Sequence, residues 1–500
     1  MLNLLRTSPH ESRNHLEFSL RDSFDRLRSQ LRPPFPTSVP SQSEYSDLNR
    51  AIVFGVLAEP DHLAKTHLTH LHSIVTDGYE SFVDLLVRIT CDSYFKLLDP
   101  ARVRLLWVSS NMVDVSAVGV ENLLFALLRC VVGGDFGRDN LWLAFELVRL
   151  FTAKWEWLLE ERFVLSCALY TYLRLLADHY RLADPMLDEL KRLEVGFCVR
   201  VLRHCFDSCL RIGRDLIRLL QDLVFIPEFG AIWKDLLANP SVFGVPEFSD
   251  ISQLYKMRTS SRYFLLRLTP EMETQLRFLL TQVRWGCQKR YQIWFAKKFL
   301  NSPEKETLVC DFVRFICCAH HPSNEIIQSD VISRWAVVGW LLKCCRSNYV
   351  EANVKLGLFY DWLFFDERFD NIMNIEPAIL LMVHSVPKYV DMTHMLLEFL
   401  FLLADNYDVA RKDIIVRGIS TSFAVLVKKG VIHSLKVLTS CDIISAVVRE
   451  RLMLFYNVFC HLSAISTGRE DFIHLLVKNL DQADVVSTQF DVNLKRFSIF

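Results

Sequence analysis

The chain has 500 residues, of which 51% are hydrophobic and 23% charged, so it can bury a large core and is not a disordered tail. Its 57 Lys and Arg against 58 Asp and Glu leave a formal net charge of -1, which argues against whole-chain attraction to nucleic acid or anionic membrane while leaving local patches open.

At the N-terminus, Glu11, Glu17, Asp22 and Asp25 interrupt an Arg-rich start, against the acid-poor pattern of a transit peptide. No compact apolar segment runs into a small-residue cleavage site, so an intracellular protein is expected. His10-Glu11 followed by His15 misses the metalloprotease spacing by one residue, because Asn14 stands where the second ligand belongs. Pro33, Pro34, Pro36 and Pro40, with Ser38, Ser41 and Ser43 among them, predict a flexible or polyproline-like arm over residues 1–45.

Beyond the arm, Asp99-Pro100, Asp184-Pro185, Asn239-Pro240, Thr269-Pro270 and Ser302-Pro303 each place a polar residue before a proline. A side-chain oxygen caps orphan N–H groups and proline presets φ, so each pair predicts a helix start. Asp135-Phe136-Gly137 spells the kinase magnesium motif, but Gly213-Arg214-Asp215-Leu216, the nearest catalytic-loop look-alike, follows it rather than precedes it. With no Gly-rich loop present, the glycines at 133, 134 and 137 read as a helix-to-helix turn. Phe163 to Leu173 and Trp335 to Leu342 are apolar on nearly every face, which predicts helices between two layers of neighbours, with Trp340 in the core. Leu216, Leu219, Leu220 and Leu223 recur with helical spacing, as do Leu276, Leu279, Leu280 and Val283. Period-two alternation is scarce. The fold expected is all-α, an α-solenoid of degenerate HEAT-like antiparallel helix pairs.

The fourteen cysteines, among them Cys167, Cys198, Cys287 and Cys310 in apolar helical patterns, read as reduced thiols packed as small hydrophobes. Cys317-Cys318-Ala319-His320-His321 looks like a metal cluster, but adjacent helical residues diverge by about 100° and cannot easily close on one ion. A helix C-terminus, with His320 near the negative end of the dipole, is the favoured reading. No cofactor is expected. Leu452 to Gly468 is uncharged but broken by Asn457, His461, Ser463, Ser466 and Thr467. It falls short of the about 20 apolar residues of a spanning helix and reads as a core helix.

The sharpest charge asymmetry lies between Lys256 and Pro303, with ten cations against Glu271 and Glu273 alone. Arg258, Arg262, Arg277, Arg284, Lys289, Arg290, Lys297 and Lys298 form a candidate patch for a partner or nucleic acid, interleaved with Trp285, Tyr291, Trp294, Phe295 and Phe299. Cations neutralise phosphates and aromatics stack on bases, which makes direct nucleic-acid binding the second reading. The favoured reading puts the cations on a solvated rim and the aromatics in the core, since Trp294 and Phe295 fit a buried stripe.

Several long phrases carry a resemblance: TYLRLLADHY from Thr171, CLRIGRDLIRLLQDL from Cys209, IPEFGAIWKDLL from Ile226 and RLTPEMETQLRFLLTQVRWGCQKRYQIWF from Arg267. HPSNEIIQSDVISRWAVVGWLL from His321, FYDWLFF from Phe359 and NIMNIEPAILLMVHS from Asn371 continue it. In these the chain resembles, over residues 46–405, the N-terminal helical domain of the Integrator complex subunit 3 family, which also serves in the SOSS complex. Residues 406–500 read as a divergent helical extension. The resemblance implies a non-catalytic scaffold in the nucleus, with the cytoplasm as a second compartment. Its implied partners are other Integrator subunits in small nuclear RNA processing. In DNA repair they are an OB-fold single-stranded-DNA-binding protein and a small third SOSS component. Nucleic acid would then be contacted mostly indirectly, and no membrane is involved.

Overall fold

A computed structural model describes residues 3–6, 14–35 and 40–464. Among the described residues there are twenty-six α-helices joined by short turns and 3-10 segments, and no β-strand. Two isolated bridges, Leu5 with Leu97 and Arg284 with Val331, are the extended pairings. The protein is an all-α solenoid. Helices pack mainly on those one or two positions away in the chain, as do Asp188–His204 on Arg162–His179 and Val390–Asn406 on Glu376–Ser385. No described helix is long and apolar enough to cross a membrane.

The expected arm is instead partly folded. Helix His15–Leu27 is capped by Asn14, whose side chain accepts from the Glu17 N–H at 3.0 Å. It lies on helix Gln42–Ala58 with Phe24 against Phe54, ring centroids 5.1 Å apart. Glu17 accepts the Leu4 N–H at 2.9 Å, and the Leu98 N–H donates to the Leu4 carbonyl at 2.9 Å. Ser41, a component of the supposed flexible stretch, caps the next helix in a reciprocal box with Glu44. Buried Leu4, Leu20, Phe24 and Leu31 outweigh the local proline signal.

The proline pairs divide by what their side chains do. Thr269 caps helix Pro270–Gln282 through the Met272 N–H at 3.1 Å. Asp184 caps a 3-10 turn that feeds Asp188–His204. Asp99 lies inside helix Asp99–Asp114 rather than before it, and Asn239 and Ser302 precede 3-10 turns.

Helix Arg162–His179 buries every residue from Val164 to Leu173, as a helix between two layers must. Helix Arg334–Cys344 departs from expectation, because Trp335 and Trp340 are only partly buried while Val337, Val338 and Leu341 form its core face. Trp362, on helix Asn348–Leu363, is fully buried instead. One apolar core runs from Leu4 to Phe455 and passes without a seam across residues 405–406. The end of the 452–468 stretch, like His10 and Glu11, lies outside the described residues.

Candidate interaction surface and buried charge network

Helix Pro270–Gln282 buries Met272, Leu276, Leu279 and Leu280, and the chain then turns through Val283–Cys287. That turn is pinned to residues 330–332, since the Trp285 N–H donates to the Asp330 carbonyl at 2.8 Å and the Ile332 N–H to the Val283 carbonyl at 2.9 Å. Helix Gln288–Phe299 follows and folds back on its predecessor. Tyr291 ties the two together by donating to Gln275, 2.7 Å from its Oε1. Lys298 pairs with Glu271 across the same seam.

This second helix buries Phe295 and Phe299 but leaves Ile293 and Trp294 exposed, at 52% and 40%. The expected pairing of Trp294 with Phe295 in a core stripe is thus half wrong. Adjacent helical positions point about 100° apart, and Phe295 takes the inward direction. Phe278 and Trp285 are also exposed nearby in sequence. Val283, Arg284, Cys287, Arg290, Tyr291 and Trp294 line an open groove of about 450 Å³ with largely apolar walls. Cys287, expected in an apolar helix, is exposed at its mouth.

The eight candidate cations separate by what they touch. Arg277 pairs with Glu273 at 2.7 Å and covers the Phe315 ring, and Arg262 covers Phe163. Arg258 is exposed in a loop and adds its field at His321. Arg284 meets Asp330 at 3.5 Å and Lys298 is paired as above. Lys289, Arg290 and Lys297 are exposed, and no described carboxylate lies within ion-pair distance of them. The structure therefore spreads Arg284, Lys289, Arg290, Lys297 and Lys298 along the turn and the helix that follows it, while Arg277 and Arg262 are engaged with other helices.

A second polar feature lies inside the solenoid. Gly213-Arg214-Asp215, the kinase look-alike, is its hub. Gly213 adopts φ +75°, and a Cβ there would meet the Met257 carbonyl, so glycine is required. Arg214 donates to Asp370 at 2.9 Å, and Asp215 accepts from Arg314 at 3.0 Å and from the Tyr170 hydroxyl at 3.0 Å. Arg314 also donates to Asp361 at 2.6 Å. Burial disfavours the charged Asp215 carboxylate, but Arg314, Arg218 and Arg267 outweigh it and hold the carboxyl well below its usual range. Nearby, Arg174 bridges Asp178 at 2.6 Å and Asp311 at 3.0 Å, bordering a cavity of about 40 Å³. Such a volume admits no more than about three waters, and the charges are spent on one another, fastening helix Arg162–His179 to Leu308–Cys318. Polar residues at single helical positions give no sequence signal of their convergence.

Asp135-Phe136-Gly137 proves to be a helix-entry turn. Asp135 accepts the Gly137 N–H at 2.9 Å and pairs with Lys305 at 2.9 Å. Around Cys317–His321 the C-terminal cap is present at Ala319, but the dipole does not decide the histidine. Burial, then Arg277, Arg334 and His321, push His320 down to about 4, so it is neutral near neutrality. Burial and Asp361, opposed by Arg314, push the Cys318 thiol well up, and its Sγ donates to Asp361 at 3.2 Å. Among the described residues no three His, Cys, Asp or Glu converge as metal ligands.

Comparison with known proteins agrees with the helical phrases. The family description "Integrator complex subunit 3 N-terminal" matches residues 43–453. Integrator complex subunit 3 of Homo sapiens is 39% identical over 406 residues, covering 81% of this chain and 38% of the human protein. The Mus musculus protein gives 39% over 405 residues, with the same coverage. The Dictyostelium discoideum homolog is 39% identical over 415 residues, covering 82% of this chain and 27% of its own length. The chain thus spans less than two fifths of the length of these relatives, and it belongs to the Integrator complex subunit 3 N-terminal family.

Proposed function

We propose that this chain is a non-catalytic scaffold that holds other proteins in two settings. The first is the Integrator assembly that processes small nuclear RNA. The second is a SOSS assembly in double-strand-break repair, in which an OB-fold protein touches single-stranded DNA and a small third component completes the complex. The site of action is the nucleus, with the cytoplasm as a second compartment. The observation that carries this reading is the match over residues 43–453 to a family whose relatives bear the name of an Integrator subunit. The engaged state of Arg262, Arg277 and Lys298 supports indirect rather than direct nucleic-acid contact.

The test is affinity purification of the tagged full chain from nuclear extract, with mass spectrometry of what accompanies it. Integrator subunits, and an OB-fold protein, are expected. Their joint absence would overturn the proposal. For the direct alternative, a free chain gripping a single strand by several phosphates would show a log–log salt slope of about -0.7 per phosphate. Weak, shallow binding is the expected result.

A further inference from the structure

We propose that the groove beside helix Gln288–Phe299 receives an acidic segment of a partner protein, anchored by one bulky apolar side chain. The inference names a partner chemistry for the scaffold reading and rests on it.

The apolar half of the argument is the helix face. Ile293 and Trp294 lie outward where Phe295 and Phe299 already fill the core side. Exposed apolar patches of this kind mark interaction sites, and tryptophan is enriched at the points that carry binding energy. The walls supplied by Val283, Cys287, Tyr291 and Trp294 enclose about 450 Å³, which accommodates a side chain of aromatic or branched aliphatic size. Tyr291 held by Gln275, and the turn held by residues 330–332, fix the groove before any partner arrives. Preorganisation of that kind lowers the entropy lost on binding.

The charged half is complementarity. On this helix Arg290, Trp294 and Lys297 follow at i, i+4 and i+7, and Lys289, Ile293 and Lys297 at i, i+4 and i+8, so cations frame the apolar pair. Arg284 and Lys298 already meet Asp330 and Glu271, but Lys289, Arg290 and Lys297 meet no described carboxylate. Carboxylates on the partner would complete them, and charge-assisted pairs at a groove rim steer association and fix register.

A single nucleic-acid strand fits less well. Base stacking needs open ring faces, yet Trp294 packs against Tyr291 with Lys298 over its ring, and Trp285 packs against Trp335. The open feature is a concavity rather than a platform.

The probe is a random-peptide phage library selected on the full chain and counter-selected on Lys289→Glu/Arg290→Glu, with winners measured by fluorescence anisotropy. Enriched peptides should combine Trp, Phe or Leu with Asp or Glu. Their affinity should fall by about tenfold or more in Trp294→Ala and in the double reversal. Raised salt should weaken them further, and oligothymidine should not displace them. All substituted side chains are exposed, so circular dichroism and melting should match the parent. No enrichment, winners without acidic residues, winners that bind either variant as they bind the parent, or displacement by oligothymidine would each overturn the proposal. A failed selection sinks the groove alone. Loss of Integrator subunits in the purification sinks the scaffold reading and leaves the selection result standing.

Discussion

Arg314 shows how one residue can hold three helices. Its guanidinium lies on helix Leu308–Cys318 and reaches Asp215 on Asp215–Gln221 and Asp361 on Asn348–Leu363. All three side chains are at most 5% exposed. Breaking a buried pair from one side leaves an uncompensated charge and costs about 3–5 kcal/mol. Arg314→Met should therefore lower the melting temperature by several degrees, and Arg314→Met/Asp361→Leu should cost less than the sum of its single changes. Additive losses in calorimetry would show that the pair does not act as a unit. His320 carries a pH dependence of definite sign. Burial and two arginines lower its folded value to about 4, against 6.5 for an exposed histidine. Between those values the unfolded chain binds a proton that the folded chain refuses, so stability falls as pH drops and is insensitive to this group above about 6.5. The slope is at most about 1.4 kcal/mol per pH unit. His320→Gln should remove part of the melting-temperature loss between pH 7 and pH 5, roughly the window that precedes carboxylate titration. An unchanged loss would assign it to other groups.

At the scale of elements, helix identity was legible and helix orientation was not. Leu216, Leu219, Leu220 and Leu223 are all buried, as their spacing requires. The run Phe163–Leu173 is buried from Val164 onward, which its apolar character on nearly every face already implied. Trp335, Trp340 and Trp294 defeated the same reasoning. An apolar side chain beside a core position scores as core in any periodicity argument, but only tertiary packing decides which of two neighbours turns inward. Phe295 took that place beside Trp294, and Leu341 beside Trp340. Residues 1–45 failed for a related reason. Pro and Ser report local chain stiffness and turn formation, whereas Leu20 and Phe24 are held by partners such as Phe54, distant in sequence. The basic segment was visible as composition, but which cations are spent on Glu271, Glu273 and Asp330 depends on helix crossings that composition does not encode.

Across the whole molecule, the decisive property is continuity of the core past residue 405. Helix Lys412–Lys428 lies on Asn348–Leu363 so closely that a Cβ at Gly418 would run into the Leu363 carbonyl. Phe423 meets Trp362 edge to face at 5.1 Å. Polar ties extend further back along the chain. Tyr407 donates to Gln221 at 2.6 Å, Tyr255 to Asp408 at 2.7 Å, and Arg411 reaches Asp250 at 2.7 Å. Residues just after 405 thus fasten segments near 221 and 250 to the middle of the solenoid. A chain stopped at 405 would uncover Trp362 and Phe364 and leave Asp250 without its arginine. It should melt several degrees lower than the full chain and bind a hydrophobic dye that the full chain does not. Gly418→Ala tests the same contact without truncation. The added methyl has backbone in its way rather than a movable side chain, so a loss of about 1–3 kcal/mol is expected from overpacking. If both variants melted with the parent, the segment after 405 would be a separately folding unit. If both fall, the helices on either side of residue 405 unfold together, as a solenoid whose stability lies in nearest-neighbour interfaces requires.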